Sequence, residues 1–221
     1  MPAEGVPAVR TAFIFCGGGP ARLSIDVPDD ALVFAADVGL AQAHRLGVAV
    51  DVLVGDLDSV DPVDLEAFEE AGGEVRRHPE DKDATDLDLA ITDAIVAGAG
   101  RIVVVGGDHG RLDHTLANAV LLASPRHAAV EVDAIFGASR LHVVRGRREL
   151  VGVPGELVSL LALGGTAHGV STEGLRWPLG GGVLEPGSSL GVSNRFDSVH
   201  AVIEVADGVV LAIRPGVEDD G

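Results

Sequence analysis

The sequence predicts an α/β protein: a Rossmann-like parallel-sheet domain followed by a small all-β sandwich or barrel. Three observations predict it. Up to about residue 136, short apolar β-branched runs alternate with helical patterns, as expected for strands buried on both faces of a parallel sheet. After about residue 137, helical periodicity disappears, and short apolar runs are separated by Gly, Pro, Ser and Asn. The polar, chemistry-bearing residues of the first part cluster where strands end. The domains are therefore placed at 1–137 and 138–221.

Strands are predicted at 11–16, 31–36, 50–54, 74–77, 101–105 and 130–136. Helices are predicted at 39–46, 62–71, 85–97 and 112–123. Pro62 suits a first helical turn, and Gly72-Gly73 ends that helix. Thr85 is an N-cap candidate, with Asp88 three residues on. Beyond residue 137 the apolar runs fall at 141–144, 157–163 and 199–205, with Gly180-Gly181-Gly182 as a turn or mobile loop and a frayed tail at 216–221.

Composition narrows the function. The 221 residues carry 16 Lys+Arg against 34 Asp+Glu, a formal net charge of −18, which disfavours nucleic acid and anionic lipid as partners. The single cysteine excludes an internal disulfide and a Cys-based zinc site, and Cys16 sits in an apolar run as a core residue. No apolar run reaches membrane-spanning length, and MPAEGVPAVR lacks a basic start followed by a hydrophobic stretch, so the cytoplasm is the expected location. Aromatic residues are scarce, so Val, Leu, Ile and Ala must build the core.

Four polar clusters follow strand ends or open helices. Asp37 follows the second strand, where a turn or capping role is the plainer reading. Asp56 and Asp58 stand two apart, and in an extended segment they would point the same way and repel; a hard divalent cation relieves that repulsion. Lys82, Thr85 and Asp86 lie at a helix start, where free N–H groups suit phosphate. Gly110, Arg111, Asp113 and His114 follow the 101–105 strand; Arg111 suits phosphate oxygens, whereas His114 is equally a capping histidine. There is no Walker A sequence, no HExxH and no Gly-x-Ser-x-Gly elbow.

Gly55-Asp56-Leu57-Asp58-Ser59, Lys82-Asp83-Ala84-Thr85-Asp86 and Gly110-Arg111-Leu112-Asp113-His114 with Asn118 resemble, in order and spacing, the thiamine pyrophosphokinase family. Gly174-Leu175-Arg176-Trp177-Pro178-Leu179 and Ser193-Asn194-Arg195-Phe196 extend the resemblance to the second part. It implies a Mg²⁺-dependent transfer of a pyrophosphoryl group from ATP to the hydroxyethyl group of thiamine, giving thiamine diphosphate and AMP. It implies a homodimer with sites at the subunit interface. Asp56, Asp58 and Asp86 would be the catalytic, metal-binding carboxylates. Asp37, Lys82, Thr85, Gly110, Arg111, Asp113, His114 and Asn118 would meet the nucleotide, and Trp177, Ser193 and Asn194 would meet thiamine. Two positions depart from the family pattern: Val38 stands where glycine is usual, and Arg195 where an acidic residue is frequent. Two other readings stand beside this one. One is a pyrophosphokinase for another alcohol, such as a hydroxymethylpterin; the other is a decayed nucleotide- or thiamine-binding regulator.

Overall fold

A computed structural model describes residues 9–23 and 25–216. The tail expected at 216–221 lies, beyond Gly216, outside the described residues. Compactness divides the chain into two units. The first takes Met1–Gly17, Leu23–Val105 and Ala129–Glu131; the second takes Gly18–Arg22, Gly106–Ala128 and Val132–Gly221.

The first unit is a parallel sheet. Its strands are β1 (Thr11–Phe15), β2 (Leu32–Ala36), β3 (Val52–Gly55), β4 (Glu74–Arg77) and β5 (Arg101–Gly106). They lie in the order β5-β1-β2-β3-β4, every pair parallel. The central strands are apolar at nearly every position because both faces are covered. Edge strand β4 reads Glu-Val-Arg-Arg, and charge on an edge discourages pairing with another chain.

Helices α1 (Gly39–Arg45), α2 (Pro62–Glu70) and α3 (Asp86–Val96) connect these strands. Asp61 caps α2 by accepting from Val63 N–H, and Pro62 opens its first turn. Thr85 caps α3, its hydroxyl accepting from Asp88 N–H at 3.3 Å. Gly39 lets α1 start hard against β1: a Cβ there would lie 2.0 Å from the Phe15 carbonyl oxygen. Under the sheet, Leu40, Leu53, Leu57, Val60 and Phe68 form one buried cluster. Cys16 is buried, and desolvation pushes its thiol up to about 12, so it is an inert core residue.

The second unit contains α4 (Leu112–Leu122), a 3-10 turn at Pro125–His127, and antiparallel strands. These are β6 (Glu131–Phe136), β7 (Ser139–Val151), β8 (Leu157–Ala162), β9 (Ala167–Glu173), β10 (Gly182–Leu184), β11 (Asn194–Arg195) and β12 (His200–Arg214). The fold is thus α/β with a parallel sheet and a later antiparallel region.

Three local expectations are corrected. The short runs at 141–144 and 199–205 are parts of two long strands, β7 with 13 residues and β12 with 15. Polar stretches interrupt each strand's apolar pattern midway because β12 changes partners there. Its first half pairs with β9 and its last part with β8, while β7 pairs along both. The register shifts between Val205 and Val210, where the change occurs. Gly182 opens β10, and Gly181 N–H donates to Ser171 Oγ at 2.9 Å, so the triglycine is tied into structure rather than being a free loop. Strand β9 was not foreseen because its outward positions are polar: it reads Ala-His-Gly-Val-Ser-Thr-Glu. The antiparallel strands close over a core that includes Val144, Leu160, Val170, Phe196, Ile203 and Val210.

Candidate active site

The carboxyl ends of β2 and β3 bring acidic residues together through two unusual backbone conformations. Asp37 ends β2 with φ of 48°, and Leu57 follows β3 with φ of 65°. Left-handed conformations cost a non-glycine residue about 1–2 kcal/mol. Leu57 offsets that cost by sinking its side chain among Leu40, Leu53 and Phe68, a burial that contributes about 2 kcal/mol. The segment is therefore not extended, as the spacing of Asp56 and Asp58 had suggested. Asp56 and Asp58 converge because the chain folds back over a buried Leu57. Asp58 N–H reaches Asp56 Oδ1 at 3.4 Å, and Ser59 Oγ donates to Asp58 Oδ1 at 2.7 Å.

Asp37, Asp56 and Asp58 each present an oxygen within 4.8 Å of the other two. Asp37 Oδ1 is buried and has no hydrogen-bond partner among the described residues. Burial first, and then the charges of Asp86, Asp58 and Asp56, lift the Asp37 pKa against the pull of the Val38 N–H. A buried orphaned carboxylate oxygen among all-oxygen donors fits a hard divalent cation.

Lys82 sits on the other side of Asp56. Its ammonium donates to Asp56 Oδ2 at 3.0 Å and to Asp86 Oδ1 at 2.7 Å, and all three side chains are largely buried. The Lys82 hydrogen bond is the main reason the Asp56 pKa lies below the usual carboxylate range. Burial works against the Lys82 ammonium, yet the bonds from Asp86 and Asp56 outweigh it and raise its pKa. Gly55 admits Asp86 to this position: a Cβ there, at φ of +151°, would lie 3.1 Å from Asp86 Oδ1. Thr85, at the start of the same helix, uses its hydroxyl as the cap.

In the second unit, Arg111 and Asp113 form a two-pronged pair. Arg111 Nη2 donates to Asp113 Oδ2 at 2.6 Å and Nε to Oδ1 at 3.2 Å, both side chains exposed. That pairing lowers the Asp113 pKa. Arg111 directly precedes α4, Asp113 and His114 lie in its first turn and Asn118 one turn on, with Gly110 just before at φ of +96°.

Trp177 and Asn194 also meet in the second unit. Asn194 is buried; its Oδ1 accepts from Trp177 N–H at 3.1 Å and from Arg195 N–H at 2.8 Å. Its Nδ2 donates to the Trp177 carbonyl at 2.7 Å. The amide thus grips the backbone of Trp177, a residue that is 55% exposed. Ser193 takes a φ of 59°, and its N–H donates to Ser159 Oγ at 3.0 Å. Two features went unforeseen. Arg176 lies over the Trp177 ring with its Cζ 5.3 Å from the centroid, a contact that adjacency alone did not announce. Asp37 joins the Asp56 and Asp58 oxygens, for which its place at a strand end was the one signal.

Replacing Asn194 by Ala leaves the Trp177 and Arg195 N–H groups without their acceptor, and should cost about 1–3 kcal/mol. Trp177 is the only tryptophan, so its emission reports the clamp directly. The expected result is a lowered denaturation midpoint with a shifted emission maximum in the ligand-free protein. An unchanged spectrum and midpoint would remove Asn194 from this role.

The family model of the thiamin pyrophosphokinase catalytic domain matches residues 27–133, and that of the thiamin pyrophosphokinase vitamin B1 binding domain matches 141–210. The chain belongs to the thiamin pyrophosphokinase family. A Bacillus subtilis (strain 168) thiamine pyrophosphokinase is 25% identical over 211 residues, covering 89% of this chain and 95% of its own. Thiamine pyrophosphokinase 1 of Oryza sativa subsp. japonica is 28% identical over 162 residues, covering 68% of this chain and 60% of its own. Among solved structures, thiamine pyrophosphokinase from Bacillus subtilis superposes with a TM-score of 0.80 at 23% identity, covering 95% of this chain and 100% of its own. Thiamin pyrophosphokinase from Candida albicans gives 0.72 at 15% identity, covering 94% and 89%. At these identities the structural likeness speaks for the thiamin pyrophosphokinase fold alone.

Proposed function

We propose that the protein is a thiamine pyrophosphokinase, transferring a pyrophosphoryl group from ATP to the hydroxyethyl oxygen of thiamine to give thiamine diphosphate and AMP. The observation that carries this reading is the match of both family domains along the chain, the second of them a vitamin B1 binding domain. That second match weighs against the pterin alternative. The intact group of Asp37, Asp56, Asp58, Lys82 and Asp86 weighs against a decayed site.

In this reading Asp56 and Asp58, with Asp37 or Asp86, hold Mg²⁺. When bound, Mg²⁺ supplies charge neutralisation on phosphate oxygens. Asp37, Lys82 and Thr85 are assigned to the nucleotide, as are Gly110, Arg111, Asp113, His114 and Asn118, with Asp113 orienting the Arg111 guanidinium. The thiamine hydroxyl oxygen bonds to the β-phosphorus, the bond from that phosphorus to the α,β-bridging oxygen breaks, and AMP departs. A carboxylate of the acidic group takes the alcohol proton. Trp177 offers its ring to the thiazolium cation, which competes with the Arg176 guanidinium for it; Asn194 holds Trp177 in place, and Ser193 lines the approach.

The proposal includes a homodimer with sites at the subunit interface and a cytoplasmic location, with neither nucleic acid nor membrane as a partner. Leu112, Leu116 and Val120 are exposed along one face of α4 and give a second copy an apolar surface to cover. Among the described residues, no helix is long and apolar enough to cross a membrane. The vitamin B1 binding domain match over residues 141–210 supports a thiamine-binding domain from about residue 138 onward, although the compact unit that holds it also takes Gly106–Ala128.

The test is an assay with Mg²⁺, ATP and thiamine that measures AMP and thiamine diphosphate together. Equal amounts of the two products are expected. AMP release with a hydroxymethylpterin and none with thiamine would overturn the proposal, as would binding of both substrates without turnover.

A further inference from the structure

Lys82 has a place in the site that phosphate binding alone does not explain. Its ammonium lies between Asp56 and Asp86, at 3.0 and 2.7 Å, on the Asp56 carboxylate whose other oxygen faces Asp58. Asp56 also belongs to the three carboxylates whose oxygens converge within 4.8 Å, and the charges of Asp56, Asp58 and Asp86 all bear on Asp37. The Lys82 ammonium therefore offsets part of the repulsion within a group of converging acids.

We propose that Lys82 is an exchangeable counter-cation: it holds Asp56 and Asp86 in the nucleotide-free enzyme and releases them when a divalent ion arrives with the nucleotide. This rests on the reading of Asp56 as a metal-binding residue. A divalent ion on the Asp56 carboxylate repels an ammonium hydrogen-bonded to the same group. The lysine stem is flexible, its ammonium a compact point charge, and a phosphate is the natural new partner for it. A rigid guanidinium fork could not move between partners so readily. The exchange makes metal alone a poor ligand, because it must displace Lys82 with nothing to receive the ammonium. Metal with nucleotide is a good ligand, because phosphate receives it. The acidic group thus discriminates between free ion and ion–nucleotide complex.

The sign of the effect tests the idea. Mn²⁺ alone is titrated into the nucleotide-free enzyme by calorimetry or electron paramagnetic resonance, comparing the native protein with Lys82→Met. The expected result is Mn²⁺ binding about tenfold tighter in Lys82→Met, since a competing cation has gone. Without metal the variant melts lower than native, and Mn²⁺ raises its melting temperature by more than it raises that of the native protein. A lysine that merely supported a metal site or the fold would give the opposite: unchanged or weaker Mn²⁺ binding. That result overturns the exchange. Lys82→Gln, which keeps a neutral hydrogen-bonding group, is the second variant should Lys82→Met fold poorly, and its Mn²⁺ affinity must also rise. Asp56→Asn separates the two levels of the argument. If it abolishes Mn²⁺ binding while Lys82→Met leaves the affinity unchanged, the metal reading stands and the exchange falls. If Asp56→Asn leaves Mn²⁺ binding intact, both fall.

Discussion

Asp56→Asn and Asp58→Asn should each lower kcat by at least about 10²-fold, the usual size of a lost charge-stabilising group at a reacting phosphate. The fold should survive. Asp58 is exposed, and an asparagine at 56 still accepts a hydrogen bond from Lys82 through its carbonyl oxygen while easing the repulsion on Asp37. The far-ultraviolet circular dichroism spectrum should match that of the native protein, with the melting temperature within a few degrees. Steady-state AMP release at saturating Mg²⁺ checks the rate. Full activity in either variant would remove these carboxylates from the chemistry. A matching loss of helix signal would show that their role is structural.

Asp133→Ala should be the most damaging single change to stability. Asp133 lies in β6, buried, and accepts twice from Arg148 Nη2, at 2.6 and 2.8 Å. Its Oδ1 also meets His142 Nδ1 at 2.8 Å. Side-chain exposures are 7% for Asp133, 13% for Arg148 and 14% for His142, so water cannot replace the lost carboxylate. Removing one partner of a buried ion pair costs about 3–5 kcal/mol, which is a large part of a domain's stability. Urea denaturation should show that loss, and Arg148→Met added to Asp133→Ala should recover part of it, because the buried guanidinium that the carboxylate served is then gone. A loss below about 1 kcal/mol in the single variant would mean the group is solvated despite its burial.

Much of the first unit could be read from the chain, for identifiable reasons. Strands buried on both faces are apolar at nearly every position, and Pro62, Thr85 and the Gly72 stop punctuate the helices where they begin and end. The second unit was less legible. A strand such as β12, which changes partners midway, looks like two short runs with a polar gap. Within the candidate site, sequence placed Asp37, Asp56 and Asp58 at strand ends but could not give the sign of φ at Asp37 or Leu57. That sign decides which way the carboxylates turn, and it depends on a tertiary event, the burial of Leu57. Asn194 was equally opaque: its type allows a ligand contact, and only the partners of its amide reveal that it holds Trp177. Asp133 sat in plain view among the apolar residues of its strand, yet its cationic partner is 15 residues away.

Strand β12 has a consequence for how this protein comes into being. It is the shared neighbour of β7, β8 and β9, which precede it by tens of residues, and its pairing extends to Arg214. A ribosome delivers those three strands first, with their apolar faces made and their common partner not yet synthesised. The antiparallel unit therefore cannot close during translation until its last strand emerges, while the local strand–helix connections of β2 to β5 form earlier. Newly made chains spend that interval with unpaired strand edges, and chaperone demand in the cell should concentrate on the C-terminal half.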